Sequence, residues 1–419
     1  MSARRGGSKT EKGAESPARG RLGVWVVGLG GGLATTMVCG ARMIARGLAS
    51  NNGLVTSTPA FSHLEVADLG DLVFGGHDIR PVSLHASALE IHRDTGTIPF
   101  EPLEAIRADL DAVDENLRLG TVVNCGAAVT ALAGKAAKRR RESLADTLDG
   151  ITRDLEEFRD LHGLRDVVVV NLASTEPRLE PQKDHQSIAG FRRLVAEDRR
   201  TAVRASSLYA WAAISLGFPF LNFTPSNAAL LPAHLKLAAK KGVPVMGNDG
   251  KTGETLVKSA LAPMFKYRHL EVMSWQGYNI LGDRDGQVLA DERNKASKVE
   301  TKDGVLNRIL GYPLHTHVAI DYVPSLSDLK TAWDFIHFRG FLDYKMSLQF
   351  TWQGCDAILA APIVLDMVRL ADYAHRSGEE GLMTQLACFF KRPLGVDEHD
   401  LHFQFHHLMD YLAARRGAN

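Results

Sequence analysis

An apolar run that turns through several glycines into a helical pattern constrains the fold of this chain most. The run Val24–Val27 leads into Gly28, Gly30 and Gly31, and the helical pattern then reaches about Leu48. Gly28 permits a tight turn, and the next glycines let the backbone approach an anion closely. The first N–H groups of the helix, at the positive end of its dipole, would point at that anion. The pattern predicts a strand, a turn and a helix that hold the pyrophosphate of a dinucleotide.

The glycine spacing departs from the plain G-x-G-x-x-G pattern at its third position. Leu33 stands there, and the next small residue is Ala34. Glycine-rich turns between a strand and a helix also occur because close packing requires them. The motif alone therefore leaves a packing turn as the alternative.

Charge and cysteine content narrow the function classes. Lysine plus arginine and aspartate plus glutamate both total 49 among 419 residues, so no global field favours nucleic acid or an acidic membrane. The four cysteines are widely spaced without C-x-x-C pairs. This spacing argues against a zinc ribbon and against a disulfide scaffold. It predicts a protein of a reducing, cytoplasmic compartment.

The N-terminus imitates a membrane anchor, because basic residues precede an apolar stretch. The glycines of that stretch, with Arg42 and Arg46 close behind, argue against a signal peptide or a membrane span. Residues 1–20 contain almost nothing to bury, so we expect a disordered tail before the first strand.

Apolar runs alternate with helical patterns, as in a parallel sheet covered on both faces. The candidate buried strands are Val24–Gly28, Asp71–Phe74, Val122–Cys125, Val167–Leu172, Phe218–Phe223 and Val243–Gly247. The main helical patterns are Leu103–Leu117, Glu142–Leu161, Ala202–Leu216 and Ala228–Lys240. Shorter β-like runs follow Lys258, at His269–Trp275, His315–Tyr322 and Lys345–Thr351, and the pattern is helical again from Pro362. These shorter runs indicate a second domain with a mixed sheet.

A polar loop between a buried strand and a helix is a second candidate binding site. It spans Met246–Thr255 and contains Asn248, Asp249 and Lys251 between glycines. Such a loop at the carboxyl end of a strand makes a natural phosphate or sugar pocket. The alternative is an ordinary helix N-cap formed by Thr252 or Thr255.

Clusters of basic residues form the third signal. Lys295, Lys298 and Lys302 share one face if they lie on a helix, and neighbouring lysines lower one another's pKa, as a lysine general base requires. A solvated basic face is the alternative. The run Lys135–Arg141 lacks aromatic neighbours and is interpreted as a solvated helix start, not as a nucleic-acid patch.

The histidines near the C-terminus raise the question of a metal site. His402 and His406 are four residues apart, with acidic residues and His399 nearby. We interpret them as the surface and packing residues of an amphipathic helix, and no metal site is predicted.

Several motifs occur together in a family-specific order. They are the glycine turn, Asp71–Ile79, Asn171–Glu176, Asn222–Asn227, Gly247–Thr255, Gly277–Gly286, Ser297–Lys302, Ser327–Lys330 and Phe390–Lys391. From about residue 21 to 415 the chain therefore resembles the myo-inositol-1-phosphate synthases, also called inositol-3-phosphate synthases. Enzymes of that family convert glucose 6-phosphate into 1D-myo-inositol 3-phosphate with NAD that is used and regenerated. The resemblance implies a redox-neutral isomerase (an intramolecular lyase) of inositol and phospholipid biosynthesis.

The resemblance also implies the catalytic residues. Lys298 would handle the proton of the C5 hydroxyl, and Lys302 would act at C5 and at the phosphate. Lys330 and Lys391 would stabilise the oxyanion at C1 and hold the substrate, with Asp249 as a proton relay. The substrate phosphate would be bound by Thr252, Gly253, Glu254 and Thr255.

The cofactor residues and the architecture follow from the same resemblance. NAD would be bound by Gly28, Gly30, Gly31, Asp78, Ser174, Thr175, Asp285 and Asp356, with Asp78 on the adenosine ribose. The expected fold is α/β: a Rossmann-type NAD-binding domain from residues 21–255 and 359–419, and an inserted mixed α/β catalytic and oligomerisation domain over residues 256–358. The expected assembly is a homotetramer.

Four departures from the family pattern leave alternatives open. Asn248 replaces an aspartate, Glu254 replaces a glutamine, Ser327 replaces a glycine, and Arg284 lies where asparagines are usual. These departures leave a related cyclase acting on another hexose phosphate as one alternative. An NAD-dependent sugar-phosphate dehydrogenase, which would share the fold but release NADH, is another. A non-catalytic NAD-binding protein has no need of the lysines that the chain keeps.

Overall fold

Two β-sheets organise the chain over residues 20–139, 141–282, 305–327 and 329–416, which the computed structural model describes. The strands are β1 (Leu22–Val27), β2 (Leu72–Asp78), β3 (Leu117–Leu119), β4 (Asp166–Asn171), β5 (Phe220–Asn222), β6 (Pro244–Gly247), β7 (Glu271–Leu281), β8 (His315–Tyr322), β9 (Leu329–Arg339), β10 (Lys345–Cys355) and β11 (Gly381–Leu382). The helices are α1 (Gly32–Ala45), α2 (Leu84–Thr95), α3 (Phe100–Ala105), α4 (Arg107–Asp114), α5 (Gly126–Leu132), α6 (Lys135–Arg139), α7 (Leu144–His162), α8 (Ile188–Ala196), α9 (Ala205–Ser215), α10 (Pro232–Lys241), α11 (Gly253–Tyr267), α12 (Asp356–Arg376) and α13 (Leu401–Ala413).

The first sheet has seven parallel strands in the order β11-β6-β5-β4-β1-β2-β3. Val24 of β1 pairs with Phe74 of β2 on one side and with Val168 of β4 on the other. The strand order reverses between β1 and β4, and in such sheets ligands bind outside the carboxyl ends of the strands at that point. The predicted Rossmann-type sheet is confirmed.

Residues of β1 alternate between two hydrophobic cores, because successive side chains of a strand point to opposite faces. Val24 and Val26 pack in the core that contains α1 and α12, whereas Trp25 and Val27 pack in the core that contains α7 and α9. All six residues of β1 are buried. Burial on both faces explains why this strand reads as an unbroken apolar run in the sequence.

The second sheet is mixed, with the order β10-β9-β7-β8. β9 is antiparallel to β7 and to β10, and β8 is parallel to β7. On one face, Trp275 and Ile336 pack against Phe265 of α11 and against Leu306, which lies in helical residues 305–310. The predicted second sheet is confirmed, and β9 is a strand that the sequence did not indicate.

One predicted strand, Val122–Cys125, is wrong. These residues form a loop that leads into α5, and the edge strand is β3 instead. Thr121 donates its backbone N–H to the hydroxyl of Tyr209, and Asn124 has a φ of 54°. The backbone therefore leaves the extended conformation that a sheet ladder requires.

Helix α12 contains buried charges with partners elsewhere in the fold. Asp366 accepts hydrogen bonds from the backbone of Val55 and Thr56, and Asp372 pairs with Arg165. Pairing of this kind offsets the free-energy cost of burying charge. Among the described helices, none is both long and apolar enough to cross a membrane.

Candidate active site

A cavity of about 540 Å³ opens at the carboxyl ends of the parallel strands and extends to the second sheet. Its walls include ten of the residues predicted from the sequence: Gly28, Gly30, Gly31, Ser174, Thr175, Asp249, Thr252, Lys330, Asp356 and Lys391. The second sheet contributes Asn279 and Leu281 of β7 and Ile320 of β8. The fold thus brings the glycine turn and two of the predicted lysines to one space.

The glycine turn has the geometry that a pyrophosphate site requires. Gly28 has a φ of +91° and donates its N–H to the carbonyl of His77 at 2.8 Å. Gly30 lies so close to its neighbours that a Cβ there would sit 2.5 Å from Cγ2 of Val82. Within the described chain, no side chain caps the start of α1, so the first N–H groups of this helix remain available to an anion.

Asp78, at the end of β2, is buried beside this turn. Its Oδ2 accepts the N–H of Gly30 at 2.9 Å, and its Oδ1 accepts the N–H of Arg80 at 2.9 Å. The Arg80 guanidinium donates to the carbonyl of Gly30 at 2.8 Å. Asp78 therefore fixes the conformation of the turn, and it occupies the strand position from which an acidic residue reaches a cofactor ribose.

Asp249 and Lys391 form an ion pair in the cavity wall. Nζ of Lys391 lies 3.0 Å from Oδ1 of Asp249. The loop around Asp249 is held against the C-terminal part of the chain, since Gly250 bridges to Phe390 and Lys391 donates its backbone N–H to the carbonyl of Asp249 at 2.6 Å. Oδ2 of Asp249 is buried and has no hydrogen-bond partner among the described residues. A buried acceptor of this kind is suited to a ligand hydroxyl or an exchanged proton.

Lys330 and Asp356 form a second ion pair, at the start of α11. Nζ of Lys330 lies 2.9 Å from Oδ2 of Asp356. A Cβ on Gly253 would lie 3.6 Å from that Nζ and 3.2 Å from Oδ1 of Asp356. Helix α11 starts at Gly253 with no side-chain cap from the described residues, so its first N–H groups are available to an anion beside the Lys330–Asp356 pair.

Glu254 does not add its charge to the cavity wall. Its carboxylate is buried, lies 2.5 Å from Nζ of Lys258 and accepts a hydrogen bond of 2.8 Å from Asn279. Glu254 is thus paired with Lys258 and Asn279, and its backbone N–H belongs to the first turn of α11. Thr255 is also buried in this turn.

Three of the predicted site residues, Asp285, Lys298 and Lys302, lie outside the described residues. Arg284 lies there too, whereas Ser327 lines the cavity with a φ of 49°. Asn248 accepts a hydrogen bond of 2.7 Å from Asn222, and Asn222 also accepts one of 3.0 Å from Asn171. An amide at position 248 therefore joins an asparagine network across the ends of three strands.

Sequence reasoning missed two buried ionisable groups near the site. Burial lowers the pKa of Lys251 to about 8, and its Nζ lies 2.5 Å from Oε1 of Gln404. Burial raises the pKa of Glu176, which lines the cavity and accepts the backbone N–H of Ser206 at 2.9 Å. Both residues lie inside motifs quoted above. Their partners, Gln404 and Ser206, are distant in the sequence, so the local sequence pattern does not show that they are buried and paired.

The C-terminal histidines have other contacts. Nε2 of His399 lies 2.7 Å from the Arg308 guanidinium, and burial lowers the pKa of His399 to about 4. His402 and His406 are exposed on α13. The described ranges contain no group of three or more His, Cys, Asp or Glu side chains placed to hold a metal ion.

Comparisons with known proteins agree with this geometry. The family model described as myo-inositol-1-phosphate synthase, an NAD-binding family, matches residues 22–413. Inositol-3-phosphate synthase 1 of Bacteroides thetaiotaomicron is 36% identical over 409 residues, which cover 91% of this chain and 92% of that protein. Inositol-3-phosphate synthase of Brassica napus is 27% identical over 431 residues, covering 89% and 81%.

The fold also matches a solved structure. The crystal structure of inositol-3-phosphate synthase from Caenorhabditis elegans has a TM-score of 0.84 and 23% identity, and the match covers 94% of this chain and 85% of that one. The likeness at this identity shows the fold alone. The family, the NAD cofactor and the enzyme class predicted from the sequence are confirmed by the family match and by the Bacteroides relative. The chain belongs to the myo-inositol-1-phosphate synthase family of NAD-dependent isomerases.

Proposed function

We propose that this protein converts glucose 6-phosphate into 1D-myo-inositol 3-phosphate without net oxidation. The reaction oxidises C5, removes a proton from C6, closes the ring by an aldol step between C6 and C1, and reduces C5 again. One observation carries the proposal: a dinucleotide turn and two lysine–carboxylate pairs border a single cavity. A cavity that held a cofactor alone would not need both pairs.

NAD fits the first half of this cavity. The glycine turn and the uncapped start of α1 would hold its pyrophosphate, and Asp78 would accept from a ribose hydroxyl. Ser174, Thr175 and Asp356 border the same space, and we keep Asp285 in this set on the family resemblance. When bound, NAD accepts a hydride from C5 and returns it.

The start of α11 would bind the substrate phosphate. Thr252, Gly253, Glu254 and Thr255 supply its first backbone N–H groups, and Lys330 adds a positive charge beside Gly253. The carboxylate of Glu254 is balanced by Lys258, so its charge is offset near the dianion. This placement fixes the phosphate end of the sugar and leaves the rest of it in the cavity.

Lys391 and Asp249 would act at the other end of the sugar. The ammonium of Lys391 would donate to the oxygen of C1 as negative charge builds up there in the aldol step. Asp249, 3.0 Å away, would accept a proton through its free Oδ2 and return it. Lys298 and Lys302 keep the C5 roles that the family resemblance implies.

The test of this function is the redox balance. With purified protein, glucose 6-phosphate and catalytic NAD, we expect inositol phosphate to exceed the NAD supplied, without lasting NADH absorbance. Deuterium placed at C5 of the substrate should return to the same carbon, because the hydride stays in the site. Mass spectrometry of the product measures both results.

Two other outcomes would change the assignment. Stoichiometric NADH release with an oxidised sugar phosphate would support the dehydrogenase alternative. Preferred turnover of another hexose phosphate would keep the mechanism and change the substrate.

We also infer that the protein assembles through its second sheet, as a homotetramer. The face of this sheet that points away from α11 carries Tyr278, Ile280 and Trp333, which are 43%, 37% and 38% exposed. Tyr278 and Trp333 lie opposite each other, with ring centroids 5.6 Å apart. Phe341 and Leu342, between β9 and β10, are 88% and 83% exposed. An exposed apolar cluster of this kind is typical of an interface between copies, although polar residues border it, with Asp321 opposite Ile280 and Thr351 opposite Trp333.

Changing this face should change the mass of the particle in solution. Trp333→Glu places a charge in this cluster, and burying that charge in an interface has a large free-energy cost. We therefore expect smaller particles by light scattering. Leu161→Glu, at an exposed position of α7, is the matched control and should keep the parental mass. A parent protein that is monomeric at micromolar concentration would contradict the proposal.

Location, partners and domain division complete the proposal. All four cysteines are free and buried, which is in keeping with a reducing, cytoplasmic compartment. The zero net charge supports a small-molecule partner over nucleic acid or a membrane surface. We retain the NAD-binding domain over residues 21–255 and 359–419, with the catalytic and oligomerisation domain between them.

A further inference from the structure

A buried lysine lies behind the cavity wall, beside the ion pair of Asp249 and Lys391. Lys251 is 2% exposed, and its chain neighbours Gly250 and Thr252 line the cavity. Lysine is almost never buried to this extent unless its charge is paired. The mechanism above gives this residue no part, so its burial requires an explanation.

Backbone hydrogen bonds fix where Lys251 lies relative to that ion pair. Its N–H donates to the carbonyl of Phe389 at 2.8 Å, and the N–H of Lys391 donates to the carbonyl of Asp249 at 2.6 Å. The two segments therefore run side by side, with Lys251 two residues after Asp249 and Phe389 two residues before Lys391. The ammonium groups of Lys251 and Lys391 repel each other.

The ammonium of Lys251 has no carboxylate as its direct partner. Its Nζ donates to Oε1 of Gln404 at 2.5 Å, and no carboxylate in the described part of the chain lies within salt-bridge distance of it. Asp400 attracts it from farther away, but that carboxylate accepts hydrogen bonds from the Tyr267 hydroxyl and from the N–H of His402. The ion pair in the cavity wall is neutral as a unit, so one buried positive charge remains behind it. Burying such a charge has a free-energy cost.

Burial also brings the titration of Lys251 close to neutral pH. It lowers the pKa of Lys251 to about 8, so the ammonium form predominates below that pH and the neutral amine above it. Desolvation raises the pKa of the Cys388 thiol and of the Tyr267 hydroxyl to about 12, and it lowers the pKa of His399 to about 4. These three neighbours therefore keep their charge state where Lys251 changes its own. The other charged groups around it are Asp249, Arg308, Lys391, Glu398 and Asp400.

We propose that Lys251 is a positioning residue for the aldol step, whose buried charge pushes the ammonium of Lys391 toward the cavity and favours negative charge on the oxygen of C1. The inference rests on the proposed function for the identity of that step. A fixed charge in a site that excludes water stabilises a transition state more than the same charge in water does. A buried charge that destabilises the resting protein and speeds its reaction is a trade-off between stability and activity.

Turnover of the NAD-loaded protein on both sides of pH 8 tests this proposal. For Lys251→Met we expect kcat to fall about tenfold below that pH, less than for a donor that contacts the oxyanion, while KM for glucose 6-phosphate and NAD affinity change little. In the parent, kcat should fall as the pH rises through about 8, because the neutral amine no longer supplies the charge. This alkaline fall should be absent in Lys251→Met. Lys266→Met, exposed on α11, is the control and should behave as the parent does.

A second variant separates the charge from the hydrogen bond. Lys251→Gln keeps an N–H donor for Gln404 but has no charge, so its kcat should fall as far as that of Lys251→Met. Both variants should melt no lower than the parent, since each removes a buried charge without a carboxylate partner. A purely structural tie predicts the reverse, with a lower melting temperature for Lys251→Met and rescue by Lys251→Gln.

Three results would overturn the proposal. They are an alkaline fall that persists in Lys251→Met, parental kcat in Lys251→Gln, and a lower melting temperature with weaker NAD binding in both variants. If Lys251→Met fails to fold, Lys251→Gln and the pH profile of the parent decide. Inositol phosphate from the parent together with any of these results refutes this inference alone. If the parent releases NADH instead, the proposed reaction fails, and loss of the alkaline fall from that release would still assign a functional charge to Lys251.

Discussion

Replacing Lys391 with methionine will lower turnover by about two to four orders of magnitude, the range that positioned proton donors contribute. The variant removes the ammonium that lies 3.0 Å from Asp249 and leaves that carboxylate buried without its partner. Methionine keeps most of the apolar volume of the side chain, so the fold should survive. NAD binding should change little, because the glycine turn is untouched.

The stage that slows identifies the role of Lys391. If Lys391 acts at C1, oxidation at C5 still proceeds and ring closure becomes limiting, so NADH absorbance should accumulate in a stopped-flow trace with glucose 6-phosphate. Lys240→Met, exposed at the end of α10, should behave as the parent does. Parental turnover in Lys391→Met would remove this residue from the mechanism, and loss of NAD affinity would make it a cofactor ligand instead.

Gly30→Ala will weaken NAD binding by about ten- to hundredfold, in line with the 1–3 kcal/mol typical of overpacking. The new Cβ would lie 2.5 Å from Cγ2 and 2.8 Å from Cγ1 of Val82, and 3.0 Å from Oδ2 of Asp78. Relief of these contacts must shift either the turn or the side chains of Val82 and Asp78, and both movements disturb the site around the hydrogen bond between Gly30 and Asp78. Titration of NAD followed by calorimetry measures the change.

Gly40→Ala in helix α1 is the matched control for this substitution. A Cβ at Gly40 has nothing within 4 Å, and alanine favours a helix interior over glycine. The control should bind NAD normally and melt slightly higher. If Gly30→Ala bound NAD as tightly as the parent, the glycine turn would be a packing device and the cofactor would lie elsewhere in the cavity.

Local patterns predicted the parts of this fold that are buried on both faces. β1 and the four valines of β4 read as apolar runs because their side chains meet a hydrophobic core on each face of the sheet. β9 was not indicated, because Lys330 and Asp334 interrupt its apolar residues. The run Val122–Cys125 misled for the opposite reason: it is largely apolar, but Thr121 just before it bonds to the Tyr209 hydroxyl and Asn124 has a positive φ, so the backbone does not extend into a strand.

The site was predictable in its residue types but not in its pairings. Asp249 and Lys391 are 142 residues apart, and no spacing rule links them. The carboxylate of Glu254 is held by Lys258 on the same helix and by Asn279 on another element, and its position in the phosphate loop does not show this second partner. Family resemblance supplied the lysines as a set, and tertiary structure decides what each one contacts.

The antiparallel bridge between Gly250 and Phe390 also determines when the site can form during synthesis of the chain. The cavity needs the turn at Gly28, near the beginning of the chain, and Lys391, near its end. During synthesis the parallel sheet can begin to form early, but Asp249 must wait for its partner until the last segment leaves the ribosome. A chain that stops before residue 391 would lack Lys391 and its pairing with Asp249, so an incomplete product could not complete the proposed reaction.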